Sequence, residues 1–332
     1  MIEIYGYSGL IGQEDLVSVL KNAVSEDRVS HAYIIQGEKG SGKGLLAQLF
    51  AMGIQCEKDY SEPCMECESC TKAIRGNHPD IITVHHEKPD TIGVEEIRRQ
   101  VVEDVQIKPF SYPHKIYIIH DAHKMTVQAQ NALLKTLEEP PEYAVLILTA
   151  ENAETLLPTV RSRCVILSMR PVCDGDVASY LMREMKMPDY QAEIYAALAR
   201  GNIGRAVEMA SSESFAEKMG ASLNYLAKSK EISPETRMDL VKTIADDKRG
   251  IADYLDIFTL WFRDVLYLKA TNEPDGLIFR EEHRHIRKRA EVSSYEGIQI
   301  IIEAIEKTKT RLVANVNAEL ALELLFLTIW EN

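Results

Sequence analysis

A glycine-rich segment between an apolar run and a helical pattern carries residues suited to binding phosphate. Residues 37–44 read G-E-K-G-S-G-K-G and follow the strand-like run Ala32–Gln36, which matches the pattern G-x-x-x-x-G-K in a strand–loop–helix context. Glycines allow successive backbone amides to point into one concavity, and the following helix N-terminus adds positive potential. The predicted phosphate-binding residues are Gly37, Gly40, Gly42 and Lys43.

Two side chains that would hold magnesium beside such a loop are missing from the sequence. The position after Lys43, where Ser or Thr supplies a hydroxyl, is Gly44. The later strand that should end in Asp-Glu is followed by His120-Asp121, and a neutral imidazole is a poor magnesium ligand. We therefore predict no intrinsic ATP hydrolysis, with ATP or ADP binding weak or absent in a degenerate pocket.

Four cysteines form a second cluster with chemical potential. Cys56, Cys64, Cys67 and Cys70 have the spacing C-x7-C-x2-C-x2-C within a polar insertion. Thiolates two residues apart can share one tetrahedral ion, and a closed four-sulfur set suits structural zinc. An iron–sulfur cluster and free thiols are the alternatives.

An arginine near the end of the first half is a third candidate. Arg163, in the sequence Ser-Arg-Cys, could present its planar, permanently charged guanidinium to a phosphate of a neighbouring molecule. From the residues alone, a solvated salt bridge is the better interpretation.

The surrounding pattern predicts the elements that position these residues. Short apolar runs alternate with helical patterns in the first half, which favours an α/β fold with a parallel sheet covered on both faces. The predicted strands are Ala32–Gln36, Ile81–Val84, Ile116–His120 and Val145–Thr149, and the helices lie near Gly42–Gly53, Val94–Val105 and Val127–Leu137. After Cys164 the patterns are almost entirely helical, with boundaries expected near Ser168–Pro171 and Ser211–Ser214.

Composition limits the functional classes. The chain has 332 residues and a net charge of −13, which disfavours a protein that grips DNA alone. No apolar run is long enough to span a bilayer and the start lacks the order of a signal peptide, so we expect a cytoplasmic protein. The basic stretch Arg280–Arg289 is interpreted as a solvated helix face, with a contact to DNA or to a partner as the alternative.

Together these landmarks resemble the clamp-loader branch of the AAA+ ATPases. The resemblance covers about Ile11 to Arg205 and is most specific in the cysteine pattern and in residues 131–140, N-A-L-L-K-T-L-E-E-P. Active subunits of that branch keep the magnesium ligands and a phosphate-sensing arginine, where this chain has Gly44, His120 and Gly204. The resemblance therefore implies a subunit that does not hydrolyse ATP.

The same resemblance implies an organisation and partners. It implies an AAA+ nucleotidase-like domain at 1–168 with a zinc module at 56–70, a small helical lid at 169–211 and an all-α collar at 212–332. It implies tau/gamma ATPase subunits and a delta subunit as partners within a DNA-directed DNA polymerase holoenzyme, DNA polymerase III, and through them the sliding clamp and primed DNA. Arg163 would act in trans as an arginine finger at a neighbour's ATP site.

Two alternatives stay open at this point. The chain could be an active tau/gamma-type ATPase of the same complex, which Gly44 and His120 disfavour. It could instead be a zinc-dependent nucleic-acid-binding module fused to a dead nucleotide fold, which the acidic balance and the few aromatic residues of the cysteine insertion disfavour.

Overall fold

The structure is a computed structural model that describes residues 6–58, 61–248 and 250–332. The chain divides into two compact units. The first unit runs to Asp176 and includes Asn202–Gly204, and the second comprises Val177–Gly201 and Arg205–Asn332.

The first unit is built on a parallel sheet. Its strands are β1 (Ala32–Gln36), β2 (Ile81–Thr83), β3 (Lys115–Ile119), β4 (Ala144–Ala150) and β5 (Val165–Ser168). They lie in the order β2-β3-β4-β1-β5, with Ile34 of β1 opposite Leu148 of β4. Buried residues occupy every position of β3 and β4, as expected for parallel strands covered on both faces.

Helices cover both faces of this sheet. They are α1 (Glu14–Ser25), α2 (Lys43–Ile54), α3 (Glu68–Ile74), α4 (Val94–Ile97), α5 (Val127–Glu138) and α6 (Pro158–Arg161). Ile35 of β1 belongs to the apolar cluster that also contains Phe50 of α2. Its neighbour Ile34 points the other way, into the cluster that contains Leu133 of α5, because successive strand residues face opposite sides.

The rest of the chain is helical. The helices are α7 (Asp174–Glu184), α8 (Asp189–Ala199), α9 (Ile203–Ala210), α10 (Glu213–Lys228), α11 (Pro234–Asp246), α12 (Ile251–Thr271), α13 (His283–Val292), α14 (Tyr295–Val313) and α15 (Ala318–Glu331). In the second unit, α12 supplies the large buried side chains Phe258 and Trp261. The rings of Tyr225 and Phe326 pack 4.5 Å apart between centroids and join α10 to α15.

Most predicted elements are confirmed, and the differences have local causes. The four predicted strands lie within one residue of β1–β4, whereas the edge strand β5 was missed, since the chain after Cys164 is predicted to be almost entirely helical. The helical stretch predicted near Val94–Val105 is confirmed, and after Ile97 it continues as a π-helical turn and a 3-10 turn over Arg98–Gln106.

The prediction of a solvated face at Arg280–Arg289 is wrong at Arg289, which is buried. Within the described ranges, none of the helices combines the length and the apolar character that crossing a membrane requires.

Candidate functional site

The predicted phosphate loop joins β1 to α2, and its backbone has the expected bent course. Gly40 and Gly42 adopt φ angles of +87° and +90°, which L side chains rarely tolerate, so glycine is required at both turns. Helix α2 begins at Lys43, directly after the loop. Lys43 is buried, and its Nζ donates to the carbonyl of Glu38 at 3.1 Å. Burial lowers the pKa of Lys43 despite the nearby carboxylates of Asp121 and Glu151.

His120 lies beside the position where the magnesium-binding hydroxyl would be. A Cβ built on Gly44 would be 3.5 Å from Cε1 and 3.7 Å from Nδ1 of the His120 ring. Burial lowers the pKa of His120, and the positive charge of Lys43 acts in the same direction. The imidazole is therefore neutral near pH 7, and the two departures from the active pattern meet in one place.

Asp121, which follows His120, is one of the two carboxylates near Lys43. It adopts a φ of +50°, and its backbone N–H donates to Thr149 Oγ1 at 3.1 Å. Its carboxylate lies 3.1 Å from the Nζ of Lys124. Burial acts to raise the pKa of Asp121, but the hydrogen bond and charge of Lys124 outweigh it and lower the pKa. Asp121 is thus ionised and already paired within the chain.

A segment far along the chain contacts the outer side of the phosphate loop. The side-chain amide of Asn202 donates to the carbonyl of Lys39 at 2.8 Å, and the N–H of Gly204 donates to the carbonyl of Gly40 at 3.1 Å. A Cβ on Gly204 would lie 2.4 Å from that carbonyl oxygen. Position 204, where the sequence resemblance implies an arginine in active subunits, therefore has no space for a side chain. Arg205 instead pairs with Asp256 at 2.7 Å.

The contact made by Asn202 was missed in the sequence, because nothing local to Asn202 indicates a partner 163 residues away.

The four predicted cysteines converge in the first unit. The sulfur atoms of Cys56, Cys64, Cys67 and Cys70 all lie within 4.8 Å of one another. Tetrahedral zinc with Zn–S bonds of about 2.3 Å places its sulfurs about 3.8 Å apart, so the cluster has the dimensions of such a site. The N-terminus of α3 positions the last two, since Cys67 caps the helix and the N–H of Cys70 donates to its sulfur at 3.4 Å.

Backbone amides also tune these thiols. Although burial acts to raise it, the pKa of Cys64 is lowered to about 7 by the N–H groups of Glu66 and Cys67. A thiol that ionises this easily is suited to metal binding. Burial and the neighbouring thiols raise the pKa of Cys70, the effect expected when several sulfurs share one small volume without a cation. Among the residues that the structure describes, the candidate metal-binding group consists of these four thiols, a set that can bind a soft or borderline metal ion.

A buried histidine and a carboxylate connect the cysteine module to the sheet. His78 Nε2 lies 3.1 Å from Ser69 Oγ of α3, and its Nδ1 accepts from the N–H of Asp80 at 3.1 Å. The carboxylate of Asp80 in turn accepts three backbone N–H bonds from the loop before β3, which come from Phe110, Ser111 and Tyr112. His78 and Asp80 are therefore structural residues of the module, and burial lowers the pKa of His78.

Arg163 lies just before β5 and is half-buried. Its Nη1 donates to the carbonyl of Thr159 at 2.8 Å and to Ser162 Oγ at 3.2 Å. Its Nη2 lies 2.8 Å from Oε1 of Glu138, at the end of α5. The guanidinium is therefore held against its own domain by one carboxylate and two neutral acceptors.

Comparison with known proteins identifies the family. A family model described as DNA polymerase III, delta subunit, matches residues 12–173, and a second, for the C-terminal part of that subunit, matches residues 221–331. The chain is 32% identical to the DNA polymerase III subunit delta' of Bacillus subtilis (strain 168) over 96% of both chains. The chain belongs to the DNA polymerase III delta' family.

More distant relatives include subunits that are named tau. The chain is 28% identical to the DNA polymerase III subunit tau of Bacillus subtilis (strain 168), over 91% of this chain and 58% of that protein. Among solved structures, a gamma subunit-related protein from Thermotoga maritima covers 96% of this chain and 99% of its own, with 22% identity and a TM-score of 0.46.

Proposed function

We propose that the chain is a non-hydrolysing subunit of a DNA polymerase III clamp loader, which acts in sliding-clamp loading during DNA replication in the cytoplasm. The observation that carries this proposal is the neutral ring of His120 beside Gly44. At that point an ATPase needs two oxygen ligands for magnesium.

The phosphate loop supports this proposal by what it keeps and what it lacks. Its turns and the N-terminus of α2 would still attract an anion, so weak binding of ATP or ADP is compatible with the site. Phosphoryl transfer requires a metal to neutralise developing charge, and no side chain at Gly44 can help hold it. The predicted phosphate-binding residues would then serve the fold more than turnover.

The assembly that we propose follows from the family. The relatives named delta' and tau support a complex that contains this chain with tau/gamma ATPase subunits and a delta subunit, and that reaches the sliding clamp and primed DNA. We propose an AAA+ nucleotidase-like domain at 1–168, a lid at 169–211 and a collar at 212–332. The helical character of residues after β5 supports this division.

Within that assembly we propose that Arg163 serves a neighbour's ATP site. Its half-buried position at the edge of the domain leaves the guanidinium reachable, and its present partners can all be exchanged for phosphate oxygens. A surface pair such as Arg163–Glu138 contributes at most about 1 kcal/mol, so a triphosphate can displace the carboxylate at small cost. Arginine then stabilises the charge that develops in transfer.

The loss of hydrolysis is tested on the isolated chain with a phosphate-release assay in the presence of magnesium. We expect phosphate release at the background rate. Steady turnover like that of an active ATPase subunit would contradict the proposal.

The role of Arg163 is tested by Arg163→Ala in the complex reconstituted with its ATPase subunits. Loss of one trans arginine reduces the rate at the site that it serves on the order of a thousandfold, and the total rate falls less because other sites continue. Arg183→Ala, which removes an exposed arginine paired with its neighbour Glu184, is the matched control. An unchanged ATPase and loading rate for Arg163→Ala would contradict the role.

We also propose that Cys56, Cys64, Cys67 and Cys70 hold a structural zinc ion. The set of four sulfurs supports zinc because it leaves no coordination position open for water. Metal analysis of the purified chain should give one zinc per chain and no visible absorbance. A brown protein containing iron would instead indicate an iron–sulfur cluster.

A further inference from the structure

A surface cavity of about 340 Å³ lies in the second unit between the end of α10 and α13. We call it the α10–α13 cavity. Four side chains with permanent or near-permanent positive charge line it, together with His285. They are Lys228, Lys230, Lys288 and Arg289. Glu231 is the one acidic residue among the lining residues that the structure describes, and its carboxylate is paired with Lys288 at 2.6 Å.

Arg289 is the unusual member of this lining, because a charged side chain is seldom fully buried without a carboxylate partner. Only 4% of it is exposed. Its Nη1 donates to Ser229 Oγ at 3.1 Å, its Nη2 donates to the carbonyl of Ile329 at 2.6 Å, and its guanidinium carbon lies 5.6 Å from the centre of the Phe262 ring. Its Nε is buried and has no hydrogen-bond partner among the described residues.

The charge on Arg289 is therefore only partly compensated. The carbonyl of Ile329 belongs to the C-terminal turn of α15, which carries partial negative charge, and Lys230 donates to the carbonyl of Trp330 in the same turn at 2.9 Å. Two cations thus share one helix end. Burial lowers the pKa of Arg289 to about 10, and burial together with Arg289 lowers the pKa of Lys230. Both pKa values are lowered, as expected for cations that a bound anion would stabilise.

The cavity wall adds an apolar part to this positive surface. Leu226 and Val292 line it, and Val292 is 64% exposed. A ligand that matches both features carries an anionic group for the lysines and Arg289 and an apolar group for these two side chains. An acidic peptide can place a carboxylate and an aliphatic side chain on adjacent residues, whereas a nucleic acid presents regularly spaced phosphates that sugars separate from flat aromatic bases.

We propose that the α10–α13 cavity binds an acidic peptide segment of a partner protein, whose carboxylate approaches the exposed Lys228 and Lys230 beside the buried Arg289 and whose apolar side chain packs on Val292. The proposal does not depend on Arg163 or on the phosphate loop, because every residue that carries it lies in the second unit.

The direct test uses the full chain and two labelled peptides, followed by fluorescence anisotropy. One is acetylated and amidated Glu-Leu-Asp-Leu-Glu, and the matched probe is Gln-Leu-Asn-Leu-Gln. We expect the acidic peptide to bind saturably, to weaken with added salt, and to bind more tightly than its amide counterpart. Equal binding of the two peptides, or no binding of either, would overturn the proposal.

Variants at the cavity rim localise the binding without disturbing the buried arginine. Lys228→Ala should weaken the acidic peptide about threefold or more, and Glu231→Gln should tighten it by removing the lining's acid and freeing Lys288. Lys242→Ala, at an exposed lysine of α11 that does not line the cavity, should leave binding unchanged. A purely structural role for these residues predicts no tightening by Glu231→Gln, so its absence would count against the site.

Competition separates the two sources of an anion. Inorganic phosphate at millimolar concentration and an oligothymidylate are each titrated against the bound acidic peptide. We expect each competitor to displace the labelled acidic peptide no more than sodium chloride of the same ionic strength does. Displacement by the oligothymidylate at lower concentration than by unlabelled peptide would overturn the peptide assignment in favour of nucleic acid.

Discussion

The phosphate loop and the cysteine cluster lie in the same unit, but they differ in which parts of a binding site remain. The loop keeps the backbone turns at Gly40 and Gly42, yet the side chains beside it are Gly44 and His120. The cysteine cluster keeps all its side-chain donors within 4.8 Å. The backbone of the loop also connects β1 to α2, so its conformation does not depend on phosphate binding. A metal site, in contrast, requires the side chain of every ligand.

The comparison also shows how a pocket becomes inert. Beside the loop, the ring of His120 stands where one magnesium ligand is expected, Gly44 offers no side chain for the other, and the backbone contact at Gly204 leaves no room for an arginine. The cysteine cluster shows no such replacement, and the bonds of His78 and Asp80 hold its surroundings in place.

The largest effect is expected at the cysteine cluster. Cys70→Ser removes one of the four proposed zinc ligands at a fully buried position, so a zinc ion held there should be lost and the module should unfold locally. Structural zinc contributes several kcal/mol or more to the fold that it holds. Metal content and thermal unfolding measure the change. Cys173→Ser, at an exposed cysteine outside the cluster, is the control and should retain full metal content.

If Cys70→Ser kept its metal and its unfolding temperature, the four sulfurs would not be a working site. The contrast with the phosphate loop would then disappear.

A smaller effect is expected where Gly204 packs on the phosphate loop. Gly204→Ala would place a methyl group 2.4 Å from the Gly40 carbonyl oxygen, so the backbone must move and stability should fall by about 1–3 kcal/mol. Gly220→Ala is the matched control, because a Cβ there meets nothing within 4 Å and the position lies inside α10. It should stabilise by about 0.5–1 kcal/mol.

Denaturant unfolding of both variants measures these opposite signs. Destabilisation of both by the same amount would mean that the contact between Gly204 and Gly40 has no special role.

The missing magnesium ligands at the phosphate loop can be restored by substitution. The double variant Gly44→Thr with His120→Asp restores a hydroxyl and a carboxylate at the two positions that the active pattern uses. We expect ATP binding to become magnesium-dependent and about tenfold tighter, since two oxygen ligands replace a ring and a hydrogen atom. Titration of ATP with magnesium or with a chelator measures this effect.

The single variants are the controls for that reversal. Gly44→Thr alone should gain less, because its side chain meets the ring of His120 3.5 Å from the new Cβ. Even the double variant should hydrolyse ATP slowly, since Gly204 leaves no room for a sensing arginine. Equal affinity with and without magnesium would show that the two positions do not form a metal site.

Much of this site could be predicted because its signals are local in the sequence. The phosphate loop, with its glycines and Lys43, spans residues 37–43, and the four cysteines span residues 56–70. Because each set occupies one short segment, its spacing in the sequence already indicates a shared role. Buried parallel strands such as β3 and β4 were found because every residue in them is apolar or covered. Strand β5 was missed although Val165, Ile166 and Leu167 are all apolar, because the chain after Cys164 is predicted to be almost entirely helical.

The remaining features depend on contacts between distant parts of the chain. Nothing near Asn202 indicates that it donates to Lys39, and nothing in the basic stretch of α13 distinguishes Arg289 from its solvated neighbours. Arg289 is buried because α10, α12 and α15 surround it, which only the packed structure shows.

The smallest predicted effect concerns pH and again separates the phosphate loop from the cysteine cluster. Burial lowers the pKa of His120 in the folded chain below its unfolded value of about 6.5. Below pH 6.5 the unfolded chain therefore binds a proton that folded His120 resists, so stability should fall as the pH falls through that window. His120→Asn removes this contribution, worth less than about 1.4 kcal/mol per pH unit.

Denaturant unfolding of the natural chain and of His120→Asn at pH 7.5 and pH 5.5 measures the difference. Acid also protonates the cysteines and weakens any bound metal, but this loss is common to both chains and cancels in the comparison. Between pH 7.5 and pH 5.5 the stability difference between the two chains should shift in favour of His120→Asn. A difference that stays constant down to pH 5.5 would mean that His120 is not held neutral, and the ring would then not be the neutral occupant of the magnesium position.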